Sequence, residues 1–327
     1  MTSSIRGTNL LSLDGLSRDA IVEILEVADS FVEVNRRTIK KVPALKGRVV
    51  ASIFFEESTR TRLSFETAAK RLSADVLSLA VASSSVKKGE SLRDTISTID
   101  ALGIDAVVMR HGSSGAALQV SRYVPHVSVI NAGDGQHQHP TQGLLDVYTI
   151  REVLAERHGT TGREGGADLL RDLHVLIVGD IRHSRVARSD VAAFGAMGAH
   201  VRLAAPGSLL PDDVASWPAD VANDFDEALE WADVVGLLRL QKERGSGAYV
   251  PSLREFTRTH GLTAERARRL RPGALIMHPG PMNRGVEIDS RVADQANSVV
   301  ERQVANGVPI RMAVLYLCVA GLASGAE

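Results

Sequence analysis

One cysteine, Cys318, in 327 residues excludes an internal disulfide and a multi-cysteine metal site. Set in an apolar stretch, it reads as core filler rather than as a nucleophile. Aromatic side chains make up 4% of the chain, too few for a surface on which bases stack. Neither charge is in excess: 38 Lys+Arg stand against 39 Asp+Glu, for a formal net charge of −1. No global basic field therefore points to a nucleic-acid partner. No apolar run reaches the roughly 18 residues of a membrane span, so no membrane partner is expected. The start, Met1 to Arg6, leads into Asp14 and Glu23 without a long apolar stretch, so no secretory signal is expected either.

What is present is an ordinary folding composition, 44% hydrophobic and 24% charged. A cytoplasmic protein in a reducing compartment is the expectation. The length suits roughly two domains at about 150 residues each. Ser17 can cap a helix whose apolar face is Ile21, Leu25, Ala28 and Val32. Short β-branched runs follow at Val49–Phe55, Val76–Leu79, Ala106–Met109 and Val127–Ile130, with helical stretches near 60–72, 91–102 and 140–157 between and after them. A polar, Gly-rich break at 158–168 precedes a second series, Leu173–Val178, His200–Ala204, Val234–Leu238 and Ala274–Met277. Strands alternating with helices predict an α/β fold of two domains, each a mostly parallel sheet flanked by helices, with an interdomain cleft. The last apolar stretch, Ile310–Leu322, predicts a C-terminal helix that packs back.

Parallel sheets bind ligands beyond the carboxyl ends of their strands. There the chain repeatedly places cations and hydrogen-bond donors. Ser58-Thr59-Arg60-Thr61 sits where a strand turns into a helix. Helix-start N–H groups, hydroxyls and an arginine together suit an anion, although Ser and Thr there also make an ordinary N-cap. The stretch is not a P-loop, since Gly-x-x-x-x-Gly-Lys-Ser/Thr is missing. Ser84 and Lys88 lie on a Ser-rich loop with Gly89, which by itself reads as a solvated loop. Arg110 ends a buried-looking strand and needs an anionic partner, a ligand or a structural carboxylate. His139-Pro140-Thr141-Gln142 reads as a helix start with Pro first. The positive end of a helix favours neutral imidazole at His139, able to donate to a carbonyl oxygen. Gln142, one turn on, lies on the same face. His137 and His139 also form a His-x-His pair, a weak metal candidate with no matching cluster elsewhere.

In the second series Val178-Gly179-Asp180 lacks the Gly-x-Gly-x-x-Gly of a dinucleotide turn. Arg185 and Arg239 read better as carboxylate clamps, or else as surface charge. Arg60, Lys88, Arg110, Arg185 and Arg239 together suit a phosphate dianion plus a dicarboxylate, about −4 in all.

Ser58-Thr59-Arg60-Thr61-Arg62 followed by Ser64-Phe65 resembles the carbamoyl phosphate signature of the aspartate and ornithine carbamoyltransferases. Lys87-Lys88-Gly89-Glu90, His139-Pro140-Thr141-Gln142, Arg239-Leu240-Gln241-Lys242-Glu243 and His278-Pro279-Gly280-Pro281 resemble its aspartate branch. The likeness runs in order from about residue 8 to the C-terminus. It implies a carbamoyl phosphate-binding domain at 1–150, joined by the C-terminal helix at about 302–327, and an aspartate-binding domain at 151–301. It further implies carbamoyl transfer to L-aspartate, the first committed step of pyrimidine synthesis, with no cofactor. Arg60, Thr61, Lys88, Arg110 and His139 would be catalytic. Ser58, Thr59, Arg60, Thr61, Ser84, Arg110, His139, Gln142 and the carbonyls of Gly280 and Pro281 would bind carbamoyl phosphate. Lys88, Arg185, Arg239 and Gln241 would bind aspartate. Ser84 and Lys88 would come from a neighbouring subunit of a homotrimer, and association with regulatory chains or dihydroorotase stays open. Gly280 stands where relatives often carry Leu, and His183 where some carry Tyr. The alternatives are an ornithine carbamoyltransferase, a metal-dependent amidohydrolase using His137 and His139, and a non-catalytic anion-binding scaffold.

Overall fold

The computed structural model describes residues 4–80, 90–161, 167–241 and 249–321. Two compact units divide the chain: Met1–Leu145 with Asn306–Glu327, and Asp146–Ala305.

The first unit opens with helix α1 (Arg18–Arg36), started by Ser17, whose Oγ accepts the Ala20 N–H at 3.2 Å. Its buried stripe is Ala20, Ile21, Ile24, Leu25, Ala28, Phe31 and Val34. Val32, expected in that stripe, is only half-buried. The helical repeat carries Phe31 and Val34 further inward, and each large side chain so buried contributes roughly 1.5–3 kcal/mol. Strand β1 (Val49–Phe54), helix α2 (Thr59–Arg71), β2 (Asp75–Ala80), α3 (Leu92–Asp100), β3 (Ala106–His111), α4 (Ala116–Tyr123) and β4 (Ser128–Asp134) follow. The sheet is parallel throughout, in the order β2-β1-β3-β4. Two ends differ from the expectation. Arg110 and His111 lie within β3, and Asn131–Asp134, with the look of a polar loop, continue β4 as fully buried strand. Asp134 makes this possible: its carboxylate accepts the Asn131 Nδ2–H at 2.7 Å and the Gly115 N–H at 2.6 Å.

Helix α5 (Pro140–Arg157) leads into the second unit. There β5 (His174–Val178), α6 (Arg185–Ala196), β6 (His200–Ala204), β7 (Asp220–Val221), α7 (Phe225–Trp231), β8 (Val234–Leu237), α8 (Leu253–His260) and β9 (Leu275–Met277) build a second parallel sheet. Its order is β7-β6-β5-β8-β9. The two-residue edge strand β7 carries no apolar run, so nothing in the sequence announced it.

The C-terminal helix α9 (Val300–Ala320) starts in the second unit and ends in the first. In the first unit Ser128 Oγ donates to the Cys318 carbonyl at 2.8 Å, and Gly7 N–H to the Leu317 carbonyl at 3.0 Å. Among the described residues it is the one helix long and apolar enough to cross a membrane by composition, yet Ile310, Met312–Leu315 and Leu317–Val319 are buried in the protein. It is a core helix. Burial pushes the Cys318 thiol up to about 12, so it is not a nucleophile at neutral pH.

Candidate active site

In each sheet the strand order reverses once, between β1 and β3 in the first and between β5 and β8 in the second. Loops leaving adjacent strands in opposite directions open a crevice at such a point. The Ser58–Thr61 and Arg110 segments lie at the first switch point. The Asp180–Arg185 and Arg239–Gln241 segments lie at the second.

At the first, Ser58 occupies the N-cap of α2 in extended conformation, and its side chain makes no capping bond. Ser17, Ser91, Ser184 and Ser252 all accept a backbone N–H at their helix starts. Ser58 departs from that habit, which leaves a helix start whose first N–H groups have no intrahelical acceptor. Thr59 and Arg60 are exposed there, whereas Thr61 is buried. Arg110 is half-buried; its Nη1 donates to the Ala132 carbonyl at 3.2 Å and its Nε lies 3.4 Å from a Glu56 carboxylate oxygen. Glu56 is thus an anionic partner within the fold, and the two contacts orient the guanidinium.

His139 is buried directly before α5, and its carbonyl accepts the Gln142 N–H at 2.8 Å. Burial first, then the nearby charges of Arg110 and Arg311, hold its imidazole well below the ordinary histidine range. The ring is neutral at pH 7 and can donate one hydrogen bond. Arg311, unremarked in the sequence, is buried on α9; its Nη1 donates to Ser64 Oγ at 2.9 Å and to the Gly307 carbonyl at 3.0 Å, and its Cζ lies 5.1 Å from the centre of the Phe65 ring. It braces α2, the helix that carries Thr59–Thr61. Its one sequence signal is an arginine inside an apolar helix.

At the second switch point Gly179 follows β5 with φ +128°, and a Cβ there would lie 2.5 Å from the Leu238 carbonyl oxygen. Only glycine allows the two strand ends to approach so closely. The next residue, Asp180, is buried. Its Oδ1 accepts the His183 N–H at 3.2 Å and lies 2.8 Å from His183 Nδ1, while its Oδ2 accepts the Gln241 N–H at 3.1 Å. One carboxylate therefore ties the turn leading to Arg185 to the segment holding Arg239 and Gln241. Arg185 is buried in the first turn of α6, behind Ser184, whose Oγ accepts the Ala187 N–H at 3.1 Å. Arg239 is half-buried. Sequence reasoning assigned Asp180 no role; only its place after a buried strand marked it.

His278 follows β9, fully buried, and Gly280 has φ +64° ahead of a cis bond to Pro281. Ser84 and Lys88 lie outside the described residues. His137 Nδ1 stands 3.2 Å from both carboxylate oxygens of Asp134. Among the described residues no group of three or more His, Cys, Asp or Glu is placed to hold a metal ion.

Two family models match: the carbamoyl-P binding domain of aspartate/ornithine carbamoyltransferase over residues 8–152, and the Asp/Orn binding domain over 171–318. The aspartate carbamoyltransferase catalytic subunit of Thermobifida fusca is 51% identical over 313 residues, 96% of each chain. This chain belongs to the aspartate/ornithine carbamoyltransferase family.

Within the carbamoyltransferases the fold does not separate the acceptors. Aspartate transcarbamoylase from Trypanosoma cruzi, solved with carbamoyl phosphate and aspartate, is 29% identical with a TM-score of 0.83, covering 96% of this chain and 97% of its own. Ornithine carbamoyltransferase from Pyrococcus furiosus is also 29% identical, with a TM-score of 0.84 and full coverage of both chains. Acceptor choice in this carbamoyltransferase therefore has to be read from side chains.

Proposed function

We propose that the protein transfers the carbamoyl group of carbamoyl phosphate to the α-amine of L-aspartate, giving N-carbamoyl-L-aspartate and phosphate. The observation that carries the acceptor assignment is the Asp180 clasp. It ties the turn before Arg185 to the segment that carries Arg239 and Gln241, and two arginines brought there would suit two carboxylates and repel an ammonium side chain. The half-identical relatives named for aspartate support the same acceptor.

The helix start at Ser58–Thr61, with Arg60 and Arg110, takes the phosphate. Thr61, Arg110 and neutral His139 donate to the carbamoyl carbonyl oxygen. Gln142 and the carbonyl oxygens of Gly280 and Pro281 hold the carbamoyl amino group. Lys88, Arg185, Arg239 and Gln241 hold aspartate. Its amine attacks the carbonyl carbon, the oxyanion is stabilised by the donors aimed at it, and the C–O bond to phosphate breaks as the amine proton passes to the departing phosphate. The reaction closes without a cofactor. Ser84 and Lys88 reach the site of a neighbouring subunit in a homotrimer. The edge strand β2, which exposes Leu77, and helix α2, which exposes Leu63, support a subunit contact beside that segment. The cell interior, where pyrimidine synthesis would run, is the working place this reading implies.

Turnover of carbamoyl phosphate with L-aspartate and, separately, with L-ornithine tests the reading. Aspartate should be preferred by at least about 100-fold, since an ammonium side chain is repelled by two arginines that would attract a carboxylate. Equal or faster turnover with ornithine overturns it.

A further inference from the structure

The second unit holds a buried hydrogen-bond chain that ends on the Gly280–Pro281 segment. Gly280 N–H donates to His278 Nδ1 at 2.8 Å. A backbone N–H only donates, so Nδ1 carries a lone pair and the ring proton sits on Nε2. There it meets Glu287 Oε1 at 3.1 Å, an oxygen that also accepts the Asn283 N–H at 2.6 Å. The His278 backbone is held as well: its N–H donates to Gln303 Oε1 at 2.9 Å, and Gln303 Nε2 donates to Asp146 Oδ1 at 2.7 Å. Asp146 is hydrogen-bonded in turn to Asp190, whose carboxyl is pushed well above the ordinary range by burial and by the Asp146 charge, so Asp190 carries the shared proton. Exposure of the His278 and Glu287 side chains is 0% and 1%. Donor and acceptor are assigned at every link, which fixes one tautomer of His278 and one orientation of the Gln303 amide.

Gly280 sits in the left-handed region at φ +64°, and the pinned amide sets the frame from which its carbonyl projects. We infer that His278 is a positioning residue: accepting from Gly280 at Nδ1 and donating to Glu287 from Nε2, it aims the Gly280 and Pro281 carbonyls at the amino group of the bound acyl phosphate. It thereby governs recognition of that amino group, separately from recognition of phosphate. The inference rests on the proposed reading that these carbonyls hold the carbamoyl nitrogen.

The test compares the full-length enzyme's affinity for carbamoyl phosphate, for acetyl phosphate, which has a methyl in place of the amino group, and for inorganic phosphate. The wild type should prefer carbamoyl over acetyl phosphate. His278→Gln keeps a donor for Glu287 near the Nε2 position and moves the acceptor away from the Nδ1 position beside the Gly280 N–H. It should lose about tenfold in that preference, the scale of one well-placed hydrogen bond, with inorganic phosphate binding unchanged. His278→Asn combined with Glu287→Gln keeps an acceptor near the Nδ1 position and should restore the preference. Nitrogen-15 NMR of the wild type gives a readout that no variant's folding can spoil: Nε2 should be protonated and Nδ1 bare. A wild type without preference overturns the parent reading and this inference with it. Preference retained in His278→Gln, or a proton on Nδ1, overturns this inference alone.

Discussion

Asp180 Oδ2 accepts the backbone N–H of Gln241, 61 residues further along the chain, at 3.1 Å. The same carboxylate holds the turn that leads to Arg185. Asp180→Asn keeps the shape but removes the charge from these hydrogen bonds and replaces one of the two acceptor oxygens with an NH2. Weakening them should raise KM for aspartate by about 10- to 100-fold while the affinity for carbamoyl phosphate stays within about twofold. Steady-state kinetics with each substrate varied in turn checks the split.

His139 gives a pH signature in the opposite sense to a surface histidine. Its value in the folded protein lies below the unfolded 6.5, chiefly through burial. The stability it contributes is complete above about 6.5 and is lost as pH falls through the depressed folded value, because the unfolded chain takes up the proton first. Urea midpoints should therefore drop more steeply between pH 7.5 and 5 in the wild type than in His139→Gln. The His139 ring should also stay neutral by NMR at pH 6.

Asp190 acts in the opposite direction. Its folded value is raised, so its contribution is complete below the ordinary carboxyl value of 3.8 and fades as pH rises through the raised one. Asp190→Asn replaces the shared proton with an amide donor to Asp146. Its urea midpoint should fall less than that of the wild type as pH rises above the ordinary carboxyl value of 3.8.

Gly179→Ala tests the close approach of β5 and β8. The added methyl would meet the Leu238 carbonyl at 2.5 Å in a backbone conformation unfavourable to alanine. A loss of about 2–4 kcal/mol is expected from overpacking and strain together, readable as a lowered thermal midpoint. Aspartate binding should weaken in any folded fraction, since Asp180 follows directly.

The shared-subunit reading has a stoichiometric test. Arg60→Ala and Lys88→Ala should each be nearly inactive. Mixed in equal amounts and reassembled at random, they should form an intact pairing at roughly a quarter of sites, with activity recovered to match. No recovery despite demonstrated subunit exchange would place Lys88 in its own chain's site.

The sequence made the segments at the strand ends legible because each is local. Ser58–Thr61 shows a strand turning into a helix, and His139-Pro140 shows a helix start. The parallel sheets follow from the same alternation. Asp180, Asp134 and Arg311 were not legible for one common reason. Asp180 acts on Gln241, Asp134 on Gly115, and Arg311 on Ser64, partners 61, 19 and 247 residues away. A long-range hydrogen bond leaves no periodicity to read. Asn131–Asp134 misled in the other direction: residues with loop composition are strand because Asp134 satisfies their buried polar groups.

Helix α9 gives the first unit its last buried layer, and the same helix delivers Arg311 to the neighbourhood of His139. On the ribosome the two units therefore finish in the reverse of their order of synthesis. Asp146–Ala305 is one unbroken stretch and has all its strands before α9 is made. The first unit, though begun earlier, waits for residues 306–321 to emerge. A nascent chain halted short of them presents an anion cradle without its Arg311 brace, so catalytic competence is acquired only after those residues have emerged.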